Sequence, residues 1–179
     1  VTIGADGSRT VNAGATSLAN YTIKKSDNWN HTFTLPKYMP KTDSSQTTTL
    51  AEYVIVETPT TGYDVTYTNN DVKNERQKIT ISGTKTWSSN TTVFPSSLTV
   101  NLYKASDVTI GADGSRTPIT GATPVKTTTT DASQNWAYSF TGLPKYVNGQ
   151  LASYVVVETI PTGFTPVYSG NDIQNNYKA

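Results

Sequence analysis

Ten residues, VTIGADGSRT, occur twice without a change, at positions 1–10 and 108–117. An internal repeat constrains a fold more than any composition, because each copy must be read as the same supersecondary unit. The likeness continues downstream. DNWNHTFTLPKY around Trp29 matches QNWAYSFTGLPKY around Trp136, and YVIVE at 53–57 matches YVVVE at 154–158. TPTTGYDVTYTNNDVKN at 58–74 matches TIPTGFTPVYSGNDIQN at 159–175. The first copy carries an insertion around MPKTDSSQTTTLA.

The two copies are unequal. The second has a lead-in, residues 78–107, with two strand-like runs, ITISGTKTW and LTVNLYK; nothing in the first copy corresponds to it. The expected organisation is a repeat over 1–77 lacking its N-terminal strands and a complete repeat over 78–179. Each chain offers one lead-in segment to two bodies, so exchange among identical chains leaves one body short. A cut from a longer tandem array is therefore the favoured reading. A permuted arrangement, with residues 78–107 serving the first copy, is the rival.

Local signals are β throughout. Runs rich in Val, Ile, Thr and Tyr alternate with Gly, Pro, Asn and Asp clusters, ADGS carries an Asp-Gly hairpin signal, and no segment keeps a helical period. Several short strands in about 100 residues predict an all-β, immunoglobulin-like sandwich. Composition excludes several classes. The formal charge is +1, which gives no electrostatic reason to expect nucleic acid. No apolar run approaches the roughly 20 residues that span a bilayer. Cysteine is absent, so an extracellular β-protein of this kind needs a staple other than a disulfide or a large core.

Side chains alternate faces along a strand. In ITISGTKTW, Ile79, Ile81, Gly83, Lys85 and Trp87 share a face; in YVVVE, Tyr154, Val156 and Glu158 do; in DIQNNY, Ile173, Asn175 and Tyr177 do. The first copy repeats the pattern with Tyr53, Ile55 and Glu57, then Val72 and Asn74. A lysine, a glutamate and an asparagine thus fall in phase with core residues, where each is expensive to bury alone. The plain alternative is that they are edge residues whose heads reach water. Recurrence of Glu and Asn in both copies weakens that alternative, although duplication alone would also preserve them.

TKTW, LTVNLYK, NWAYSFTGLPKY, YVVVETIPTGF and DIQNN, in that order, resemble the B-type repeats of the Cna collagen adhesin, the Cna-B domains. The likeness covers the whole second copy and the available portion of the first. Domains of that family build stalks of Gram-positive surface adhesins and pili, so the resemblance implies an extracellular, cell-wall-attached parent protein. Its implied partners are neighbouring repeats, identical chains in a fibre, and a host ligand of unknown identity. It also implies an intramolecular Lys–Asn isopeptide bond. Carried over by motif, Lys85 is the amine, Asn175 the carboxamide and Glu158 the catalytic acid, with Asn176 as second choice to Asn175. In the first copy Glu57 and Asn74 are the equivalents, and their lysine is missing from the chain; whether Lys85 links to Asn175 or to Asn74 stays open.

The chemistry is coherent. Burial disfavours charge, lowering a lysine pKa and raising a glutamate pKa. A neutral Lys85 can attack the Asn175 carbonyl while a protonated Glu158 polarises it. The event happens once per domain, so the protein is read as structural rather than as an enzyme, with no cofactor and no metal. A ligand-binding module gripping a host protein or glycan through end loops is the alternative, with the insertion in the first copy as the best place for it.

Other candidates point to plain roles. His31 has no Cys or second His beside it, which argues against zinc and against a Ser-His-Asp triad; it is read as a strand-surface residue. GADGS lacks the acidic ligands of a calcium loop. Trp29, Trp87 and Trp136 are read as core residues rather than sugar platforms. Lys37 and Lys145 in LPKY are read as solvated loop lysines, and the Thr runs at 47–49 and 127–130 as exposed strand or loop. The N-x-[ST] tripeptides at Asn20, Asn30 and Asn90 are of a kind frequent by chance in a Thr- and Asn-rich chain and say nothing firm about glycosylation.

Overall fold

The computed structural model describes residues 1–38 and 50–178. The insertion proposed as a binding loop and the Thr run at 47–49 lie largely or wholly outside them. The chain forms two units, one of residues 1–60 and 64–75, the other of residues 61–63 and 76–179.

The first unit contains β1 (Thr2–Ile3) and β2 (Arg9–Thr10), a short 3-10 turn at Lys25–Asp27, and most of β3 (Tyr63–Thr68) and β4 (Asp71–Arg76). The second unit contains β5 (Lys78–Trp87), β6 (Leu98–Lys104), β7 (Val108–Ile110), β8 (Arg116–Pro118) and β9 (Lys126–Thr130). It continues with β10 (Ala137–Pro144), β11 (Tyr146–Val147), β12 (Gln150–Leu151), β13 (Tyr154–Glu158), β14 (Phe164–Ser169) and β15 (Asp172–Tyr177).

A four-stranded sheet of order β10-β5-β15-β14 and a three-stranded sheet of order β13-β6-β9 make the second unit a β-sandwich. All ladders are antiparallel except β15–β5, which is parallel. The inward faces follow the alternation in the sequence. Leu98, Val100 and Leu102 of β6 meet Tyr138 and Phe140 of β10, Val156 of β13 and Ile173 of β15 in one buried cluster. Ile79 and Ile81 of β5 pack against it.

The YVVVE run reads as continuously apolar because β13 is covered on both sides. Val156 faces the sandwich core, while Val157 packs with Tyr103 and Val108 in a second cluster beneath the β7–β8 hairpin. Gly83 sits at a crowded spot on β5. A Cβ there would strike the Asn171 carbonyl and the Tyr138 hydroxyl, and that hydroxyl donates to the same carbonyl.

The described residues of the first unit lack more than the N-terminal strands expected to be missing. The counterparts of β10 and β13, residues 30–37 and 53–57, carry no strand, and only an isolated bridge joins Tyr38 to Leu50. The reason is topological. The missing lead-in corresponds to β5 and β6, which are interior strands of the two sheets rather than edge pieces. Removing them takes away the ladder partners of β10, β15, β13 and β9 together. In this chain β5 and β6 pair with strands of the second copy.

Local structure survives in the first unit. The ADGS hairpin forms in both copies, with Asp6 and Asp113 accepting from the backbone N–H of Ser8 and Ser115. The 3-10 turn followed by two left-handed residues also recurs, at Asn28 and Trp29 and at Asn135 and Trp136. Trp136 packs edge-on against Trp87, 5.1 Å between ring centroids. Trp29 is 69% exposed, against the core role expected of it, because the first copy has no counterpart of Trp87. Tyr177 is exposed as well: β15 ends there, and its ring lies edge-to-face with Phe164. His31 lies outside any strand, stacked on Tyr21.

Candidate functional site: a buried lysine, glutamate and asparagine

Lys85, Glu158 and Asn175 are each almost entirely buried, at 2%, 4% and 0% exposure. Three strands present them. Lys85 lies on β5 opposite Ile173, and Asn175 is two residues further along β15, opposite Trp87, so both point to the same side of one sheet. Glu158 closes β13 of the facing sheet, opposite Val100. Asn176, the second choice from sequence, is exposed, as strand alternation requires.

An aromatic cluster stands beside the lysine. Its Nζ stands 3.9 Å from the Trp87 ring centroid and donates to the Thr86 carbonyl. Trp87 meets Trp136, Phe94 and Phe164 edge-on at 5.0 to 5.6 Å. Burial lowers the Lys85 pKa from 10.5 to about 8, opposed by the charge of Glu158. Burial raises Glu158 from 4.5 to about 7, opposed by Lys85 and by the Asn175 side chain. Desolvation is the larger cause for both groups. Asn175 lies close enough to Glu158 to favour its charged form, yet neither carboxylate oxygen and neither amide atom makes a hydrogen bond of ordinary geometry. Buried polar atoms are nearly always paired, so this cluster is held in place by its strands and not by mutual hydrogen bonding.

In the first unit Asn74 Nδ2 donates to both oxygens of Glu57, at 2.8 and 2.9 Å. Glu57 is half-buried and Asn74 exposed. The glutamate and asparagine therefore meet in both copies, but only the second copy adds an amine and walls the group off from water. Lys37 is exposed and Lys145 half-buried, each beside the tyrosine that follows it. Among the described residues no group of His, Asp and Glu could hold a metal ion, and no helix is long and apolar enough to cross a membrane.

Sequence reasoning missed an arginine. Arg116, in β8, donates to the Val156 carbonyl at 2.9 Å and the Gly170 carbonyl at 2.7 Å, with its guanidinium 4.3 Å over the Tyr168 ring. The signal was in plain view: Arg116 belongs to the decapeptide that is identical in both copies.

A two-sheet β-sandwich thus encloses a lysine, a glutamate and an asparagine on three different strands. The profile of the Cna protein B-type domain matches residues 81–176, and the chain belongs to that family. A collagen adhesin of Staphylococcus aureus is 29% identical over 175 residues, which cover 92% of this chain and 13% of that protein. The chain therefore spans a small part of the length of that curated relative. Among solved structures, a single B repeat unit (B1) of the collagen-binding surface protein of S. aureus is 25% identical, with a TM-score of 0.42. That comparison covers 88% of this chain and 79% of the other. The pilus adhesin SpaC of Lactobacillus rhamnosus GG is 23% identical with a TM-score of 0.39, over 62% of this chain and 13% of its own.

Proposed function

We propose that the chain is a structural stalk module of an extracellular, wall-attached bacterial adhesin or pilus, and that its second unit is stapled by an amide bond between Lys85 and Asn175. The observation that carries this is the enclosure of an amine, a carboxyl and a carboxamide, each at most 4% exposed, in a sandwich that has no cysteine.

The reaction balances without a co-reactant. The Lys85 Nζ lone pair adds to the Asn175 side-chain carbonyl carbon. Protonated Glu158 gives its proton to the carbonyl oxygen as Nζ adds; the carboxylate then takes a proton from Nζ and passes it to the leaving Nδ2, and as the C=O re-forms its oxygen returns the first proton to Glu158. The C–Nδ2 bond breaks, ammonia departs, and one C–Nζ amide remains. Trp87 and its aromatic neighbours exclude water, and the strands replace a bimolecular encounter with an oriented one. It is a single self-modification without turnover.

The staple would join the first and last strands of the sandwich, β5 and β15. Closing a loop of on the order of 100 residues is worth about 4–5 kcal/mol in the chain-entropy description of a cross-link, and an amide resists reduction. Strands β5 and β15 are parallel neighbours, so tension entering at one end of the unit and leaving at the other passes through the bond. That suits a spacer set among neighbouring repeats. Residues 1–77 hold the glutamate and asparagine of a second such site, Glu57 and Asn74, without its lysine.

Intact-mass measurement tests the reading. Folded protein should weigh one ammonia less than its sequence, and digestion should yield one branched peptide joining Lys85 to Asn175. Lys85→Ala should restore the full mass. A folded wild-type chain at its full sequence mass removes the proposal.

A further inference from the structure

The identical decapeptide has a task that the staple alone does not explain. In the second unit it forms the β7–β8 hairpin, which lies over the outer side of β13 through Val108 and Val157. From that hairpin Arg116 spans two elements: the Val156 carbonyl belongs to β13, two residues before Glu158, and the Gly170 carbonyl belongs to the turn between β14 and β15. The ring beneath the guanidinium, Tyr168, completes the link, since its hydroxyl accepts the backbone N–H of Glu158 at 3.2 Å. The strand bearing Glu158 and the hairpin bearing Asn175 belong to different sheets. No ladder joins them; Arg116 and Tyr168 do.

The first unit supplies an independent view of the same device. Arg9 donates to the Ile55 carbonyl at 2.7 Å and the Asn69 carbonyl at 2.6 Å, lies 4.4 Å over Tyr67, and the Tyr67 hydroxyl accepts the Glu57 N–H at 3.0 Å. There the interior strands of both sheets have no counterpart, and residues 53–57 form no strand. Glu57 and Asn74 nevertheless meet. The clamp assembles, and the acid meets the amide, without a sandwich around them.

We infer that Arg116 is a positioning residue: held by the decapeptide hairpin, it fixes the Glu158 end of β13 to the β14–β15 hairpin and so sets Glu158 beside the Asn175 carboxamide for attack by Lys85. The inference rests on the Lys85–Asn175 reading and deepens it. A planar guanidinium reaches two carbonyls and an aromatic face at once; an ammonium does not. The conservative variant Arg116→Lys should therefore fail to restore what Arg116→Met loses.

The test follows ammonia loss by intact mass after the full chain is refolded from denaturant, with circular dichroism reporting the folded fraction. Arg116→Met and Arg116→Lys are expected to regain the β signal and to lose ammonia on the order of ten- to a hundredfold more slowly than wild type, the range that small misplacements produce. The pH limbs of the reaction should stay where they are, because the clamp orients Glu158 without titrating it. Tyr168→Phe, which deletes one oxygen, serves if the arginine variants do not fold, and should slow the reaction in the same sense. Wild-type rates in folded Arg116→Met, or in Tyr168→Phe where that variant stands in, overturn the inference. Hydrogen exchange at the Glu158 amide is measured in a Lys85→Ala background, where no bond can form. It should be slow with Arg116 present and at least tenfold faster with Arg116→Met; unchanged exchange also overturns the clamp. If wild type never loses ammonia, the staple falls and this amide measurement alone decides the clamp.

Discussion

Asn175 stands directly opposite Trp87 in the parallel β15–β5 pair, one alternation beyond the pairing of Ile173 with Lys85. The residue proposed to be attacked and the ring that covers the amine are thus cross-strand neighbours. Trp87 has two opposing effects on Lys85. Its face attracts an ammonium, by about 1–2 kcal/mol when desolvated, and its bulk keeps water out. Burial is the larger cause of the lysine's lowered pKa, ahead of the opposing charge of Glu158, and the ring 3.9 Å from Nζ is part of that burial. Trp87→Ala should let the Lys85 pKa climb back toward 10.5 and slow ammonia loss at neutral pH. It should also lower stability by about 3 kcal/mol. Intact mass against time and urea unfolding check the two effects. Faster cross-linking in the variant would mean that the ring acts mainly by holding the ammonium.

The reaction should have a bell-shaped pH dependence. Its active form is the pair holding a single proton on the acid side, with a neutral amine and a protonated carboxyl. Below about 7 the pair holds two protons and its lysine is an ammonium; above about 8 it holds none and its carboxyl is ionised. Those values belong to the pair rather than to either group alone. Initial rates of ammonia loss from pH 5 to pH 10 should peak between about 7 and about 8. A rate that climbs steadily to pH 10 would remove the carboxyl as proton donor.

Asn175→Ala leaves the lysine and glutamate buried and unable to react, so their titration should appear in stability. Glu158 has a raised folded pKa: the folded state holds its proton more tightly, and stability falls as pH rises from about 4.5 to about 7. Lys85 has a lowered folded pKa: the unfolded state holds more protons between about 8 and 10.5, and stability recovers across that window. Urea midpoints of the variant should be lowest between about 7 and about 8. A maximum in that interval would mean that the ion pair more than offsets its own desolvation.

Gly83→Ala should destabilise the second unit by about 1–3 kcal/mol, the usual range for overpacking. The methyl would enter a space already filled by the Tyr138 hydroxyl and the Asn171 carbonyl, and backbone does not yield as a flexible side chain does. Adding Tyr138→Phe should recover only part of the loss, because the carbonyl remains. Thermal unfolding of the single and double variants measures both.

Much of the second unit was legible from alternation. The phases of Lys85, Glu158 and Asn175 relative to Ile79, Val156 and Ile173 already aimed all three at the interior, and the structure buries each of them. Tyr177 shared the phase of Asn175 and is exposed, because alternation gives a direction and does not say where the facing layer ends. Arg116 escaped notice for a related reason. Its partners are carbonyls and a ring far along the chain, and a contact with backbone leaves no residue type to search for.

The two copies of the repeat separate what each level determines. Sequence by itself fixed the structures whose partners lie within a few residues: the Asp-Gly hairpins and the 3-10 turns ending in left-handed Asn and Trp form in both units. Strands depend on partners far away in the chain. YVIVE and YVVVE are nearly the same word, yet only the second is a strand, because only it has β6 beside it. The lysine's altered acidity is likewise a property of the assembled sandwich. No pattern of residues desolvates an amine until two sheets close over it.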